Sequence, residues 1–339
     1  MIGCEKMKNA FCVSTPYHLL VSCSLKQNGD LLIIEDNDFF HNTKINKIIR
    51  DYFDRNVVYI NNYQLWFKNP INVIKEKSII RRLIEKKINK LYCFNDADPI
   101  VQYMFYVRRK QSENIILEEG IGLYSNMNHH HPYLKKIYGK IFFGLWYKIL
   151  CRIGEYKYTS IIFPKKTLGL STLQKQKKLK KCNYRKIEKI IENENISVFK
   201  EIWLITQPLV EDGICTESDY MFFLKKLIDI LNNSGKKITI KIHPREDKKK
   251  YNQFKDIVEI YDDKNIPAEL LISKKNKTFL LTISSSSVLN IVPDKNLKII
   301  FLYKLLNTRI QYKIDTNRKD VIIVENLSEL QKIYEEVIL

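Results

Sequence analysis

Apolar residues occur along this chain in short dense runs, each followed by a polar turn and then by apolar positions at helical spacing. NAFCVSTPYHLL, from Asn9, reads as a strand running into a helix whose start is marked by Ser14, Thr15 and Pro16. LLIIED (31–36) is a second buried strand, and NVVYINN (56–62), KLYCFND (90–96) and NIILEEG (114–120) are further ones, with IIRRLIEKKI (79–88) as a helix between them. The alternation resumes beyond residue 200. EIWLITQPL (201–209) is a strand, SDYMFFLKKLIDILNNSG (218–235) a helix with a glycine stop, and KKITIKIHP (236–244) a strand ending at His243-Pro244. FLLTISSSSVLNIV (279–292) reads as a strand, a serine-rich turn and a helix start. LKIIFLY (297–303) and DVIIVEN (320–326) complete the strands, and LSELQKIYEEVIL is a terminal helix.

Strands alternating with helices predict parallel sheets covered on both faces. A chain of 339 residues is long for a single core. The pattern therefore predicts an α/β protein of two Rossmann-like domains facing across a cleft, residues 1–195 and 196–339, closed by the C-terminal helix. Residues 133–189 stand apart. Residues 133–154 mix Lys with large aromatics at roughly helical spacing, and from Lys165 to Lys189 ten Lys/Arg face one acid, Glu188.

The formal net charge of +19 adds a partner class, because such a surplus attracts polyanions. An anionic membrane surface, contacted through 133–189, gives that charge one use; a solvated helical face is the plain alternative. The seven cysteines are scattered, odd in number and never spaced CxxC, which points to a reducing compartment rather than a disulfide framework or a zinc site. The N-terminus makes a poor signal peptide, and no run reaches the ~18–20 apolar residues of a membrane span. The expected location is cytoplasmic, with peripheral attachment to the inner face of a membrane. No GxGxxG or GxxxxGK[ST] occurs, which counts against dinucleotide oxidoreductases and P-loop enzymes.

In open α/β sheets ligands bind beyond the C-terminal ends of the strands. That rule selects STPYH, LEEGIG, IHPRE and ISSSSV. His243 can protonate or hydrogen-bond a leaving phosphate, with Lys241 and Arg245 beside it to stabilise negative charge and Pro244 to set the turn. Ser284, Ser285, Ser286 and Ser287 offer hydroxyls and N–H groups at a helix mouth for a phosphate or carboxylate, where capping needs only one serine. Glu118 and Glu119, before Gly120, supply a candidate base whose pKa a like-charged neighbour raises. A solvated turn competes with that reading. Asp96-Ala97-Asp98 resembles a metal-holding DxD, but the adjacent Pro99 suggests a capped helix entry. His129, His130 and His131 read as a loop. Glu211-Asp212-Gly213 is a second acid-acid-glycine triplet, and Asp212 or Asp219 competes for the base role.

An acid-acid-glycine triplet after an N-terminal strand, a later HP and a serine cluster beyond it resemble the bacterial sialyltransferases. The nearest likeness is to the lipooligosaccharide and capsule enzymes of glycosyltransferase family 52, and the polysialyltransferases share these motifs. Glu118-Glu119-Gly120, His243-Pro244 and Ser284 to Ser287 carry the likeness, with Thr15 in FCVSTPYHLL and the FNDADP stretch adding to it. The resemblance implies a GT-B fold, CMP-sialic acid as donor, inversion at the anomeric carbon, and no metal or other cofactor. It further implies an acid of the triplet as base for the acceptor hydroxyl, His243 as the acid assisting the departing CMP, and the serines on phosphate or cytidine. The acceptor would be a terminal sugar, expected to be galactose, on a lipid-linked cell-surface glycan. A homodimer is allowed by the sequence and not specified by it. Two rival readings remain: a GT-B transferase using a UDP- or GDP-sugar, and a basic nucleic-acid-binding protein, for which no binding motif is present.

Overall fold

The structure is a computed structural model that describes residues 8–62, 70–85, 88–95, 98–108, 113–117, 167–168, 201–233, 235–263, 266, 268–271, 278–285, 287–291, 295–306 and 318–338. The triplet Glu118-Glu119-Gly120, the His129–His131 run, the 133–189 segment apart from Thr167 and Leu168, and Asp96 and Ser286 lie outside the described residues. By contact, the strands through Leu168 group into one unit and those from Ile202 onward into a second.

The first unit is built on β1 (Lys8–Val13), β2 (Leu31–Asp36), β3 (Val57–Asn61), β4 (Ile88–Cys93), β5 (Glu113–Leu117) and β6 (Thr167–Leu168). All pairings are parallel and the order is β3-β2-β1-β4-β5-β6. Ala10 to Val13 are buried without interruption, as a central strand covered on both faces requires. Helix α1 (Pro16–Leu25) starts where the sequence marks it: Thr15 is the N-cap, its hydroxyl accepting the His18 N–H at 3.2 Å, and Pro16 opens the first turn. Helix α2 (Thr43–Phe53) buries Ile45, Ile48, Ile49 and Phe53 along one face. Helix α3 (Pro70–Ile84) starts earlier and stops earlier than its apolar spacing predicts, because Ile88 already pairs with Lys8 as the start of β4. Helix α4 (Pro99–Val107) follows β4.

One buried arginine ties this unit together. Arg108, after α4, donates to the carbonyls of Ile84, Ile88 and Asn89 at 3.0, 2.8 and 3.0 Å and to the side chain of Asn114 at 3.1 Å. It fastens the end of α3 to the starts of β4 and β5.

The second unit repeats the design. Its strands are β7 (Ile202–Ile205), β8 (Ile238–Lys241), β9 (Glu259–Tyr261), β10 (Thr278–Thr282), β11 (Leu297–Phe301) and β12 (Val321–Ile323), again all parallel, in the order β12-β11-β10-β7-β8-β9. Counted from the first strand of each unit, the two orders are the same Rossmann order, so the direction of winding reverses between β1 and β4 and between β7 and β10. Helix α5 (Glu217–Asn232) buries Tyr220, Phe223, Leu224, Leu227, Ile228 and Leu231 in the core of this unit. The terminal helix α6 (Leu327–Ile338) is pinned to α5 by the Tyr334 hydroxyl, which donates to the Leu231 carbonyl at 2.7 Å. Two Rossmann-type α/β domains in tandem with a C-terminal helix constitute the GT-B fold expected from the sequence. The serine-rich turn differs from expectation: it leads into a single 3-10 turn, Ser287–Asn290, rather than a regular helix.

Replacing Arg108 by Met would leave the buried carbonyls of Ile84 and Ile88 without this donor, each costing about 1–3 kcal/mol, and the half-buried one of Asn89 as well. The expected loss is about 3 kcal/mol or more in chemical denaturation of the first unit, with the second unit's transition unchanged.

Candidate active site

The winding reversal of the second sheet places three segments together at the C-terminal ends of adjacent strands: Thr206-Gln207 after β7, Ile242 to Asp247 after β8, and Ile283 to Ser285 after β10. The backbone keeps pairing just past the strands, with Thr206 N–H donating to Lys241 O at 3.1 Å and Ile242 N–H to Tyr261 O at 3.1 Å. The loops therefore leave the sheet from fixed points.

His243 sits in a tight turn that reads its own side chain. Its Nδ1 accepts the Arg245 N–H at 3.2 Å, and its carbonyl accepts the Glu246 N–H at 3.0 Å. With Nδ1 an acceptor, the neutral ring carries its proton on Nε2 and can only donate from there. Burial, then the nearby charges of Arg245 and Lys241, lowers the His243 pKa from 6.5 to about 3. At neutral pH the unliganded side chain is thus an uncharged hydrogen-bond donor. A dianionic phosphate placed beside it offsets the charges of Arg245 and Lys241 and pushes the pKa up.

Behind His243 lies Glu246, buried to 2% exposure. One carboxylate oxygen accepts the His243 N–H at 2.9 Å and pairs with the Thr206 hydroxyl. The other accepts the Tyr251 hydroxyl at 2.7 Å and the Lys250 ammonium at 2.9 Å. Lys250 continues to Glu211 at 3.0 Å. None of these partners is apparent from strand-end position; the HPRE run and the Glu246–Lys250 spacing of four are the only local signals for them.

The cations flanking His243 are engaged elsewhere. Lys241, 4% exposed, donates to the Asp263 carbonyl at 2.6 Å and lies over the Tyr261 ring at 5.3 Å. Arg245 forms a two-pronged pair with Asp212, at 2.7 and 3.0 Å. Both oxygens of Asp212 are so occupied, which leaves it poorly placed to take a proton. Asp219 accepts the Thr216 hydroxyl at 2.6 Å while its own N–H donates to that hydroxyl at 3.1 Å, so Thr216 is the N-cap of α5 and Asp219 holds its hydroxyl. Pro244 occupies the turn between them.

Ser284 is bound through both its N–H and its hydroxyl to Gln207 Oε1, at 2.7 and 2.5 Å. Ser285 N–H donates to the Thr282 hydroxyl at 3.0 Å, and the Ser285 and Ser287 hydroxyls pair at 2.7 Å. Thr282 in turn donates to Ile205 O at 3.0 Å. The serine turn is thereby bolted to the end of β7, next to the segment that carries His243.

In the first unit the corresponding strand ends are structural. Thr15 caps α1, and the buried His18 ring stacks on Phe94 at 4.1 Å between centroids. Asp98 caps α4 by accepting the Ile100 N–H at 2.7 Å and is 4% exposed, the capped helix entry that Pro99 suggested rather than an open metal ligand. Beside it the buried Glu35 carboxyl lies 3.7 Å from the Cys12 thiol. Burial and then the Asp98 charge push the Glu35 pKa well above the carboxylate range.

Between about pH 3 and 6.5 the unfolded chain binds a proton at His243 that the folded chain does not. Stability from this group is complete above pH 6.5 and declines as the pH falls. NMR of ring-labelled histidine should show His243 neutral, with its proton on Nε2, at pH 5 in the absence of ligand; a midpoint near 6.5 would refute the assignment.

The profile of the family described as Alpha-2,8-polysialyltransferase (POLYST) matches residues 9–304. No curated protein matches the chain. Among solved structures, the chain is similar to an alpha/beta-galactoside alpha-2,3-sialyltransferase from the luminous marine bacterium Photobacterium phosphoreum, at 16% identity over 94% of this chain and 98% of that one, with a TM-score of 0.43. A sialyltransferase from Photobacterium damsela is similar at 14% identity over 93% and 81%, TM-score 0.38. The heptosyltransferase WaaC of E. coli, solved with ADP, is similar at 11% identity over 98% and 100%, TM-score 0.42. Among the described residues no helix is long and apolar enough to cross a membrane. With a profile match that runs from β1 to the turn beyond β11 and takes in the His243 and Ser284 segments, the chain belongs to the alpha-2,8-polysialyltransferase family, and is a glycosyltransferase that uses a sugar-nucleotide donor and a glycan acceptor.

Proposed function

We propose that the chain transfers sialic acid from CMP-sialic acid to a terminal sugar of a cell-surface glycan, lipooligosaccharide or capsule, with inversion and without a metal. The observation that supports this most is His243 held as a neutral Nε2–H donor at a strand end, beside the serine turn of the winding reversal. Such a donor suits a leaving group that departs as a phosphate monoester. The acceptor hydroxyl gives its proton to a carboxylate, which the family resemblance assigns to Glu119. Its oxygen bonds to the anomeric carbon of sialic acid as the bond from that carbon to the CMP phosphate oxygen breaks. His243 Nε2–H donates a hydrogen bond to that departing oxygen and stabilises its developing charge, so that CMP leaves as a phosphate monoester. The Ser284–Ser287 turn holds phosphate or cytidine. The terminal acceptor sugar is galactose or, as the family's description implies for its members, a sialic acid. Attachment of the basic 133–189 segment to an anionic inner membrane face would bring a lipid-linked acceptor to the enzyme.

In a thermal-shift panel CMP should stabilise the protein while UDP and GDP do not; stabilisation by UDP alone would sink the donor assignment. His243→Ala should lower kcat about 10²–10⁴-fold with the melting temperature nearly unchanged. Wild-type turnover in that variant would remove His243 from the leaving-group role.

A further inference from the structure

We propose that Glu211-Asp212-Gly213 is a positioning device: together with Lys250 and Glu246 it clamps the His243–Asp247 turn so that the imidazole Nε2–H is held in one direction. Only the final step, donation to a departing phosphate, rests on the donor reading above.

Two consecutive acids reach two different cations of the facing segment. Asp212 takes Arg245 in the two-pronged pair, and Glu211 takes Lys250 at 3.0 and 3.2 Å while also accepting the Asp247 N–H at 3.1 Å. The backbone is folded for this purpose. Asp212 N–H donates to Pro208 O at 2.8 Å, Gly213 N–H to Val210 O at 3.0 Å, and Ile214 N–H to Leu209 O at 2.8 Å. Gly213 closes that turn at φ +68°, a conformation in which a side chain is strained. The glycine of the triplet is therefore a requirement of the turn that presents both acids.

Energetics argue for geometry rather than stability as the role of this cluster. The side chains of Lys250 and Glu246 are 4% and 0% exposed. Taking charges out of water costs several kcal/mol per ion, and well-packed apolar residues at such positions are often no less stable. What the charges add is direction: Arg245 and Glu246 contact His243, Asp212 and Lys250 hold those two, and Glu211 holds Lys250 and the Asp247 N–H. Arg245 supplies the N–H that sets the ring tautomer, and Glu246 holds the His243 N–H. Burial works to raise the Glu211 pKa, yet the Asp247 N–H and Lys250 hold it below the usual carboxylate range. Glu211 stays ionised and tied.

The Arg245–Asp212 pair lies at the exposed end of the clamp, so it can be exchanged with the fold retained, as circular dichroism melting would verify. Arg245→Asp and Asp212→Arg are compared singly and together, with Asp212→Asn as a milder control. Each single variant should lower kcat about tenfold or more, in line with the cost of a misplaced group, with the acceptor KM within about twofold. Each should also show His243 as mixed tautomers by NMR. The double variant should recover both most of kcat and the Nε2–H tautomer. Wild-type kcat and tautomer in the single variants would overturn the proposal. So would a loss in Asp212→Asn and Asp212→Arg that the exchange fails to rescue, the result expected of a chemical base. If the wild-type protein transfers no sialic acid while the tautomer follows the exchange, the donor reading fails and the clamp stands.

Discussion

A carboxylate with no exposed surface, that of Glu246, is the contact on which the second unit's strand ends depend. It accepts from the backbone of His243, from the hydroxyls of Thr206 and Tyr251 and from Lys250, and so joins the loop after β7, the turn after β8 and the 3-10 helix that follows. A buried acceptor with four donors resists rearrangement, since losing any one leaves a charge less compensated. The turn it holds determines the tautomer of His243. The tautomer determines that the ring can only donate from its free edge. The chemistry open to the site follows from that sequence of constraints.

The two units share one strand order and differ in what they place at the reversal of winding. In the first, the polar groups after β1 and β4 serve helices: Thr15 and Asp98 are caps, and Glu35 is a buried acid whose pKa burial and the Asp98 charge push up. In the second, the groups after β7, β8 and β10 bind one another across loops, through Gln207 to Ser284 and Thr206 to Glu246. The same strand order thus carries helix caps at the described strand ends of one unit and loop-to-loop hydrogen bonds at those of the other, a division that topology alone does not dictate.

The strands were legible because strands buried on both faces must be apolar throughout, and LLIIED, IWLI and FLLT could be little else. β9 was not: Glu259, Ile260 and Tyr261 are only half-buried at the sheet edge, and so short a mixed run has no signature. The bounds of α3 were misread because helical spacing continues into Ile88, where pairing with β1 takes over. The strand-end rule selected His243 and Ser284, and both lie just past the C-terminal ends of strands that flank β7. Their partners were not legible. Lys241 and Arg245 looked like phosphate cations beside a histidine, but a long side chain reaches several directions from one backbone point. Tertiary contacts sent one to Asp263 and the other to Asp212. Glu246 was only weakly signalled, by its place in HPRE and its spacing of four from Lys250, since neither tells a buried hub from a solvated turn acid.

The most direct test of the account follows the His243 imidazole at pH 7 as CMP is added to ring-labelled protein. The bound phosphate should shift the His243 Nε2–H signal as that proton enters a hydrogen bond to it, with Nδ1 still the acceptor from Arg245, and UMP should do so more weakly. A His243 signal that stays unmoved while CMP is demonstrably bound would contradict the account.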